Sequence, residues 1–258
     1  MVLVDEHMKT SVDRIYAGGD IAATPFGLTA VRAIGNAKTA AESILAKFKI
    51  PRVHRAKAQP KADLSIDFCG VHFGNPLLLS SSPVSNHREM VERAYQAGWG
   101  GAVYKTLGLE KKFKVYMPTP RLNALHYEDK QVVGLQNVEQ ITDRTLRDNL
   151  ADIKYLKKKY PEKVLVASIM GFDAEDWTYL ASAATEAGAD MLELNYSCPQ
   201  MAREGAGHKV GQQYDLLETF TRAVRKGSDR PIIAKMTPNI TDMIPPAMAS
   251  KAGGANAI

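Results

Sequence analysis

Cysteine is scarce in this sequence. Two occur in 258 residues, Cys69 and Cys198, far apart and in no metal-ligand spacing, so neither a disulfide framework nor a cysteine-held zinc or iron–sulfur site is readable. A reducing, cytoplasmic compartment is the default. No basic start leads into an apolar h-region, and no uninterrupted apolar stretch reaches roughly 18 residues, so neither export nor membrane spanning is indicated. No nucleic-acid motif is present. The net charge of +5 comes from lysines and arginines interleaved with acids, which hints only mildly at anionic ligands such as phosphates. The dinucleotide fingerprint G-x-G-x-x-G is also missing. What remains, 45% hydrophobic and 24% charged, is ordinary soluble globular material with room for one large domain, or one domain and part of another.

One break in texture divides the chain. "KIPRVHRAKAQPKAD" is basic, holds two prolines and carries no apolar period, which reads as a linker over 49–62. Before it, residues 1–48 offer a short strand-like "DRIYAGGD" and then a helix in which Val31, Ile34, Ala37, Ala41, Ile44, Leu45 and Phe48 recur near helical spacing. After it, over 63–258, the rhythm changes. A hairpin at "LSIDFCGVHFGNP" leads into "LLLSSS", "GAVYKT", "VLVASIM", "MLELNYS" and "PIIAKM", with amphipathic helical stretches between them. Strand–helix alternation of this kind argues an α/β fold with a parallel sheet. It gives about five βα units, and a sixth strand would just be starting at "GGANAI". A (β/α)8 TIM barrel closes at eight, so the expected architecture is an incomplete one.

The strand ends carry the chemistry. "LELNYSCPQM" is an apolar run that stops in Asn195, Ser197, Cys198 and Pro199. Similar ends follow Ser80, Ser81 and Ser82, then Lys105 and Thr106, then Ser168, then Lys235, Thr237 and Asn239. In a parallel barrel, ligands are held at the C-terminal strand ends, so polar groups are expected there. Each also has a plainer reading. Lysines at strand ends commonly snorkel, a lone cysteine is commonly an inert buried thiol, and Asn137 or Asn195 alone suits a turn or cap. His126 and His208 read as surface histidines in loops. The glycines at 205, 207 and 211 suit a mobile lid within "QMAREGAGHKVGQ".

Taken together, "DLSIDFCGVHFGNPLLLSSSPVSNHREMVERAYQAGWGGAVYKT", "GLQNVEQI", "LELNYSCPQM" and "AKMTPNITDM" resemble the flavin-dependent, pyrimidine-reducing part of the dihydropyrimidine dehydrogenases. The "SCPQM" form is most like the bacterial FMN subunit, with Gln200 where other members have histidine. The resemblance implies an oxidoreductase of pyrimidine catabolism that reduces the C5=C6 bond of uracil or thymine. It assigns Ser80, Ser81, Lys105 and Lys235 to FMN, Asn137, Asn195 and Ser197 to the pyrimidine, and Cys198 to the general acid. Dihydroorotate dehydrogenase, which has a similar barrel and Asn-x-Ser-x-Pro logic, is the near alternative. Orotate carries a carboxylate, and Arg203 and Lys209 leave the choice open at this stage.

The first 48 residues have a resemblance of their own. "TSVDRIYAGGDIA" followed by "GLTAVRAIGNAKTAAESI" is similar to the closing segment of FAD domains in pyridine-nucleotide-linked flavoproteins, with Gly18 and Gly19 allowing close approach and Gly19 and Asp20 meeting the FAD. Fewer than about 50 residues without the fingerprint cannot enclose an FAD, so this reads as a remnant. The chain as a whole reads as a fragment of a longer polypeptide. Its electrons would come from NAD(P)H through FAD, held by the remaining polypeptide or a partner flavoprotein subunit, and through family iron–sulfur clusters that this chain lacks. An oligomer is expected. A different reading makes the chain an inactive partial barrel whose open sheet edges act only in association.

Overall fold

Short β-branched and leucine-rich runs bounded by glycines and capped helices set the architecture of the computed structural model, which describes residues 2–23, 30–49, 62–112, 115, 122–127, 131–199 and 205–258. The chain divides into two units, Met1–Ala62 and Asp63–Ile258. The linker expected over 49–62 lies almost wholly outside the described residues.

In the first unit, β1 (Val2–Leu3) pairs in parallel with β2 (Ala22–Ala23), and α1 spans Ala30–Lys47. The strand expected at "DRIYAGGD" does not form. The Asp5 carboxylate accepts from the amides of His7 and Lys9, and the Thr10 hydroxyl bonds the carbonyls of Val12 and Ile15. These local bonds fold the segment into turns, and a single bridge between Lys9 and Tyr16 is all the ladder that remains. Ile34, expected on the apolar face of the helix, is exposed. Gly18 lies so close to α1 that a Cβ there would sit 3.0 Å from that of Asn36.

The second unit opens with the expected hairpin. β3 (Ile66–Phe68) and β4 (Val71–Phe73) are antiparallel, turned at Cys69 and Gly70, both at positive φ (52° and 79°) as a tight two-residue turn requires. There follow β5 (Leu78–Leu79), α2 (Arg88–Gln96), β6 (Gly101–Leu107), β7 (Leu122–His126), β8 (Val132–Asn137), α3 (Leu146–Lys159), β9 (Val164–Ile169), α4 (Ala174–Glu186), β10 (Met191–Tyr196), α5 (Tyr214–Gly227), β11 (Ile232–Met236) and α6 (Ile244–Ala252). β5, β6, β9, β10 and β11 form one parallel sheet in that order, each strand laid beside its predecessor. This is a five-strand portion of a TIM barrel, and Ala257 pairs in parallel with Ile233 in an isolated bridge.

Helix ends are chemically specified. Thr145 and Asp173 cap α3 and α4 by accepting from the amides of Asp148 and Asp176 at 3.1 and 2.9 Å. Gly98, Gly188 and Gly254 follow α2, α4 and α6 at φ near +100°, the left-handed conformation that ends a helix.

Period-two alternation gives the sheet two faces. Leu192, Leu194 and Tyr196 of β10 join Leu165, Ala167, Ile169 and the helices in the main core, where Trp177 packs on Tyr196 and Phe220 with ring centroids 5.2 and 5.9 Å apart. Burying such side chains contributes roughly 1.5–3 kcal/mol each. On the opposite face, Val103, Val164, Val166 and Met191 close with Phe73 of the hairpin into a second, smaller cluster. That cluster is an apolar floor, and the residues farther along the same faces stand above it.

β7 and β8 form a two-stranded antiparallel ribbon, where the sequence suggests only a loop. His126 is therefore in a strand, exposed, rather than in a loop. Leu125, Val132, Val133 and Leu135 are all exposed, so no one-sided apolar pattern marks the ribbon.

Candidate active site

The inner faces of β6, β9, β10 and β11 continue from the apolar floor into polar residues. Met191 is followed at two-residue steps by Glu193 and Asn195, Val166 by Ser168, Val103 by Lys105 and Ile233 by Lys235. Asn195 and Lys235 are register partners. Pairing between β6 and β9 shifts between Tyr104 and Leu107, a bulge that lets both Lys105 and Thr106 address the site.

Thr106 is the hub. Its hydroxyl lies 2.8 Å from Ser168 Oγ and 3.3 Å from Ser81 Oγ, and it accepts from Asn195 Nδ2 at 2.9 Å. Asn195 Oδ1 accepts from both the amide and the hydroxyl of Ser197, at 3.1 and 2.9 Å. A carboxamide has two N–H donors and two lone pairs. Both lone pairs and one N–H are thus committed, and among the described residues one N–H is left for a ligand. Asn195 is buried, so that N–H is aimed by three bonds rather than by chance.

Two ion pairs flank the hub. Lys105 Nζ lies 2.6 Å from Glu139 Oε1 with both side chains buried, 4% and 9% exposed. Lys235 Nζ lies 3.3 Å from Glu193 Oε1, with the lysine 38% and the carboxylate 10% exposed. Neither carboxylate is among the candidates drawn from the sequence. Glu193 has a signal there, since a carboxylate alternating with Met191 and Asn195 in a buried strand needs a partner. Glu139 has none, because the ribbon that delivers it is not evident in the sequence.

The remaining candidates are placed as follows. Ser80 is exposed, and its carbonyl accepts from Ser85 Oγ at 3.3 Å. Asn137 ends β8, exposed, and accepts from the Glu139 amide at 2.9 Å, which ties it to the Lys105 pair. Cys198 is buried directly after β10, and its carbonyl accepts from the His208 amide at 3.1 Å. His208 differs from the surface histidine expected, because its Nδ1 is buried without a hydrogen-bond partner. Lys209 is exposed, while Gln200 and Arg203 lie outside the described residues. In the first unit, Gly19 has φ +71° and begins the turn that holds Asp20. It borders a cavity of about 390 Å³ with Tyr16, Ala33 and Ala37.

Behind β6 a second polar network anchors these segments. Arg144 Nη1 donates to Asp152 Oδ2 at 2.6 Å, to Tyr104 Oη at 2.9 Å and to the Asn86 carbonyl at 3.1 Å. Thr142 Oγ1 donates to Asn86 Oδ1 at 2.8 Å. Burial, then the Asp152 carboxylate, pushes the Tyr104 hydroxyl well above the usual phenol range, so it stays protonated. The network joins the loops after β5 and before α3 to the strand that carries Lys105. A separate cavity of about 560 Å³, between α3, α4 and the segment after β6, contains none of these groups.

The segment Gly207–Gln212 folds over the ends of β10 and β11, and Gly211 fits because it has no side chain. A Cβ there would lie 2.6 Å from the Tyr196 carbonyl and 2.8 Å from Thr237 Cγ2. Gly211→Ala is expected to cost about 1–3 kcal/mol, read as a lower urea midpoint. An unchanged midpoint would show that the segment is free to lift.

The dihydroorotate dehydrogenase family model matches residues 63–258. Over 196 residues the chain is 52% identical to the NAD-dependent dihydropyrimidine dehydrogenase subunit PreA of Escherichia coli (strain K12), covering 76% of this chain and 47% of that protein. It is 36% identical over 208 residues to the chloroplastic dihydropyrimidine dehydrogenase (NADP(+)) of Arabidopsis thaliana, covering 78% and 49%. It is 34% identical over 197 residues to the catalytic subunit of dihydroorotate dehydrogenase B (NAD(+)) of Thermococcus kodakarensis, covering 76% and 61%. The chain spans about half the length of the first two relatives. No helix among the described residues is long and apolar enough to cross a membrane. On the family match and these identities, the chain belongs to the dihydroorotate dehydrogenase family.

Proposed function

We propose that this chain is the pyrimidine-reducing part of a flavin-dependent dihydropyrimidine dehydrogenase, acting on the C5=C6 bond of uracil or thymine. The observation that carries the reading is the cluster at the strand ends: two inward lysines, a hydroxyl hub and a carboxamide with one N–H to spare; the Cys198 thiol follows on the same segment, packed against the main core. The 52% identity to a dihydropyrimidine dehydrogenase subunit supports the choice of substrate class.

The donor set suits FMN. Lys235 is partly exposed, and Glu193 Oε1 is buried without a hydrogen-bond donor, so the mouth has a cation and an acceptor still able to meet a polar ring. In this reading Ser80, Ser81, Lys105 and Lys235 hold FMN, which when bound supplies the hydride that reaches C6 of the pyrimidine. Asn195, with Ser197 and Asn137, orients the planar ring through its alternating donors and acceptors. The Cys198 thiol hands its proton to C5 and regains one from solvent. An ordinary thiol, with pKa near 8.5, is still protonated at neutral pH and needs no strong tuning for this task.

Electrons would arrive from NAD(P)H through FAD, held by a partner flavoprotein subunit or by more of the same polypeptide. The first unit, with Gly19 and Asp20, is proposed as the end of such an FAD domain. The test is product identity. The FMN-loaded chain, photoreduced without oxygen, is expected to convert uracil to dihydrouracil on chromatography, about one per flavin. Dihydroorotate from orotate, with no dihydrouracil from uracil, would instead favour the dihydroorotate dehydrogenase reading that the Thermococcus relative represents.

A further inference from the structure

A regular strand that sends Val103 and Lys105 inward would send Thr106 outward with Tyr104. The bulge in β6 prevents this. Tyr104 pairs with Ala167 and Leu107 with Ile169, so neither Lys105 nor Thr106 has a register partner on β9. Thr106 is thereby free to face inward, where it meets Ser81, Ser168 and Asn195. A bulge disrupts the ladder, and a buried carbonyl left without a donor is costly. Thr106 is buried, and its carbonyl is met from another segment, by the Thr142 amide at 3.0 Å.

Thr142 is itself held. Its Oγ1 donates to Asn86 Oδ1 at 2.8 Å and accepts from Asn149 Nδ2 at 3.3 Å. Two residues on, Arg144 Nη1 faces Asp152 Oδ2, Tyr104 Oη and the Asn86 carbonyl at 2.6, 2.9 and 3.1 Å. One guanidinium nitrogen carries only two N–H groups, so the two shortest contacts take them. These are Asp152 of α3 and Tyr104 of β6. A cation thus ties the segment before α3 to β6 just ahead of the bulge, over the stretch in which Thr142 meets the Thr106 carbonyl.

We propose that Arg144 is a positioning residue that keeps the β6 bulge in place: by fixing the segment that carries Thr142, it holds the Thr106 carbonyl off the ladder and the Thr106 hydroxyl turned inward against Asn195. Without it, β6 relaxes toward regular register and Thr106 turns to the side of Tyr104. Asn195 then loses the bond that aims its remaining N–H. The inference rests on the pyrimidine reading above and adds how the carboxamide that meets the ring is set.

Two measurements on the full chain decide it. The first needs no flavin. Amide hydrogen exchange over 138–145, read by mass spectrometry, is expected to be at least about tenfold faster in Arg144→Met than in wild type, with α4 and α5 unchanged. The second compares uracil affinity of the FMN-loaded chain, by flavin difference spectra, in a cycle with Thr106→Val. Arg144→Met is expected to weaken uracil about tenfold in the wild-type background, near the upper end for one hydrogen bond, and less than about twofold in the Thr106→Val background. With the hydroxyl gone, Arg144 has nothing left to position. Tyr104→Phe, which removes only the oxygen through which β6 meets the guanidinium, carries both comparisons should Arg144→Met not fold.

Faster exchange together with that dependence on Thr106 supports the proposal. Unchanged exchange, unchanged uracil affinity in Arg144→Met, or equal losses in both backgrounds overturns it, and Arg144 then serves stability alone. If the wild-type chain takes up no uracil, the pyrimidine reading itself falls, and the exchange measurement alone then decides whether Arg144 holds the bulge.

Discussion

Cys198→Ala is expected to lower uracil reduction by about 10²–10⁴-fold, the usual contribution of a positioned proton donor, while leaving the flavin spectrum unchanged. The side chain is small and 8% exposed, and alanine removes only the sulfur. The backbone that positions it is held independently, by the Cys198 carbonyl accepting from the His208 amide and by the Ser197 bonds to Asn195. The loss should therefore appear in the rate of flavin reoxidation by uracil and not in folding or FMN affinity. Cys198→Ser should be slow as well, since a hydroxyl is a far weaker acid than a thiol. Stopped-flow reoxidation of the photoreduced protein checks both. Wild-type rates in Cys198→Ala would remove the thiol from the mechanism.

Lys105→Met is expected to destabilise the chain by about 3–5 kcal/mol, because it takes away the ammonium that a buried carboxylate faces. The contact is 2.6 Å long between side chains that are 4% and 9% exposed, so solvent does little to screen it. The pair also links β6 to the loop following β8, which the Arg144 network fixes from the other side. Lys105→Met combined with Glu139→Gln should recover most of the loss, since no lone charge is then left in the interior. Urea unfolding of the three variants measures the coupling. Equal losses in the single and double variants would mean that the lysine acts by packing alone.

Much of this arrangement is legible in the sequence because period-two alternation in buried strands reports which side chains share a face. "MLELNYS" alone places Met191, Glu193 and Asn195 together, and "GAVYKT" places Val103 with Lys105. Strand order follows from the βα rhythm. Pairing across the sheet does not, because alternation says nothing about which polar groups meet. That Asn195 gives an N–H to Thr106 is a tertiary fact, whereas its bonds from Ser197 are local. Glu139 stays hidden for a different reason. The ribbon of β7 and β8 exposes apolar side chains on both faces, so it shows neither strand alternation nor helical period. At "DRIYAGGD" the error runs the other way, as the Thr10 hydroxyl bonds the Ile15 carbonyl and turns the backbone where the apolar residues suggest a strand.

The central claim is that the ends of these five strands form a flavin and pyrimidine site, and a visible absorption titration tests it most directly. FMN added to the purified chain should give a perturbed, saturable flavin spectrum, and after anaerobic photoreduction the yellow absorbance should return on adding uracil. A flavin spectrum identical to that of free FMN, or bound reduced flavin that uracil leaves colourless, would contradict it.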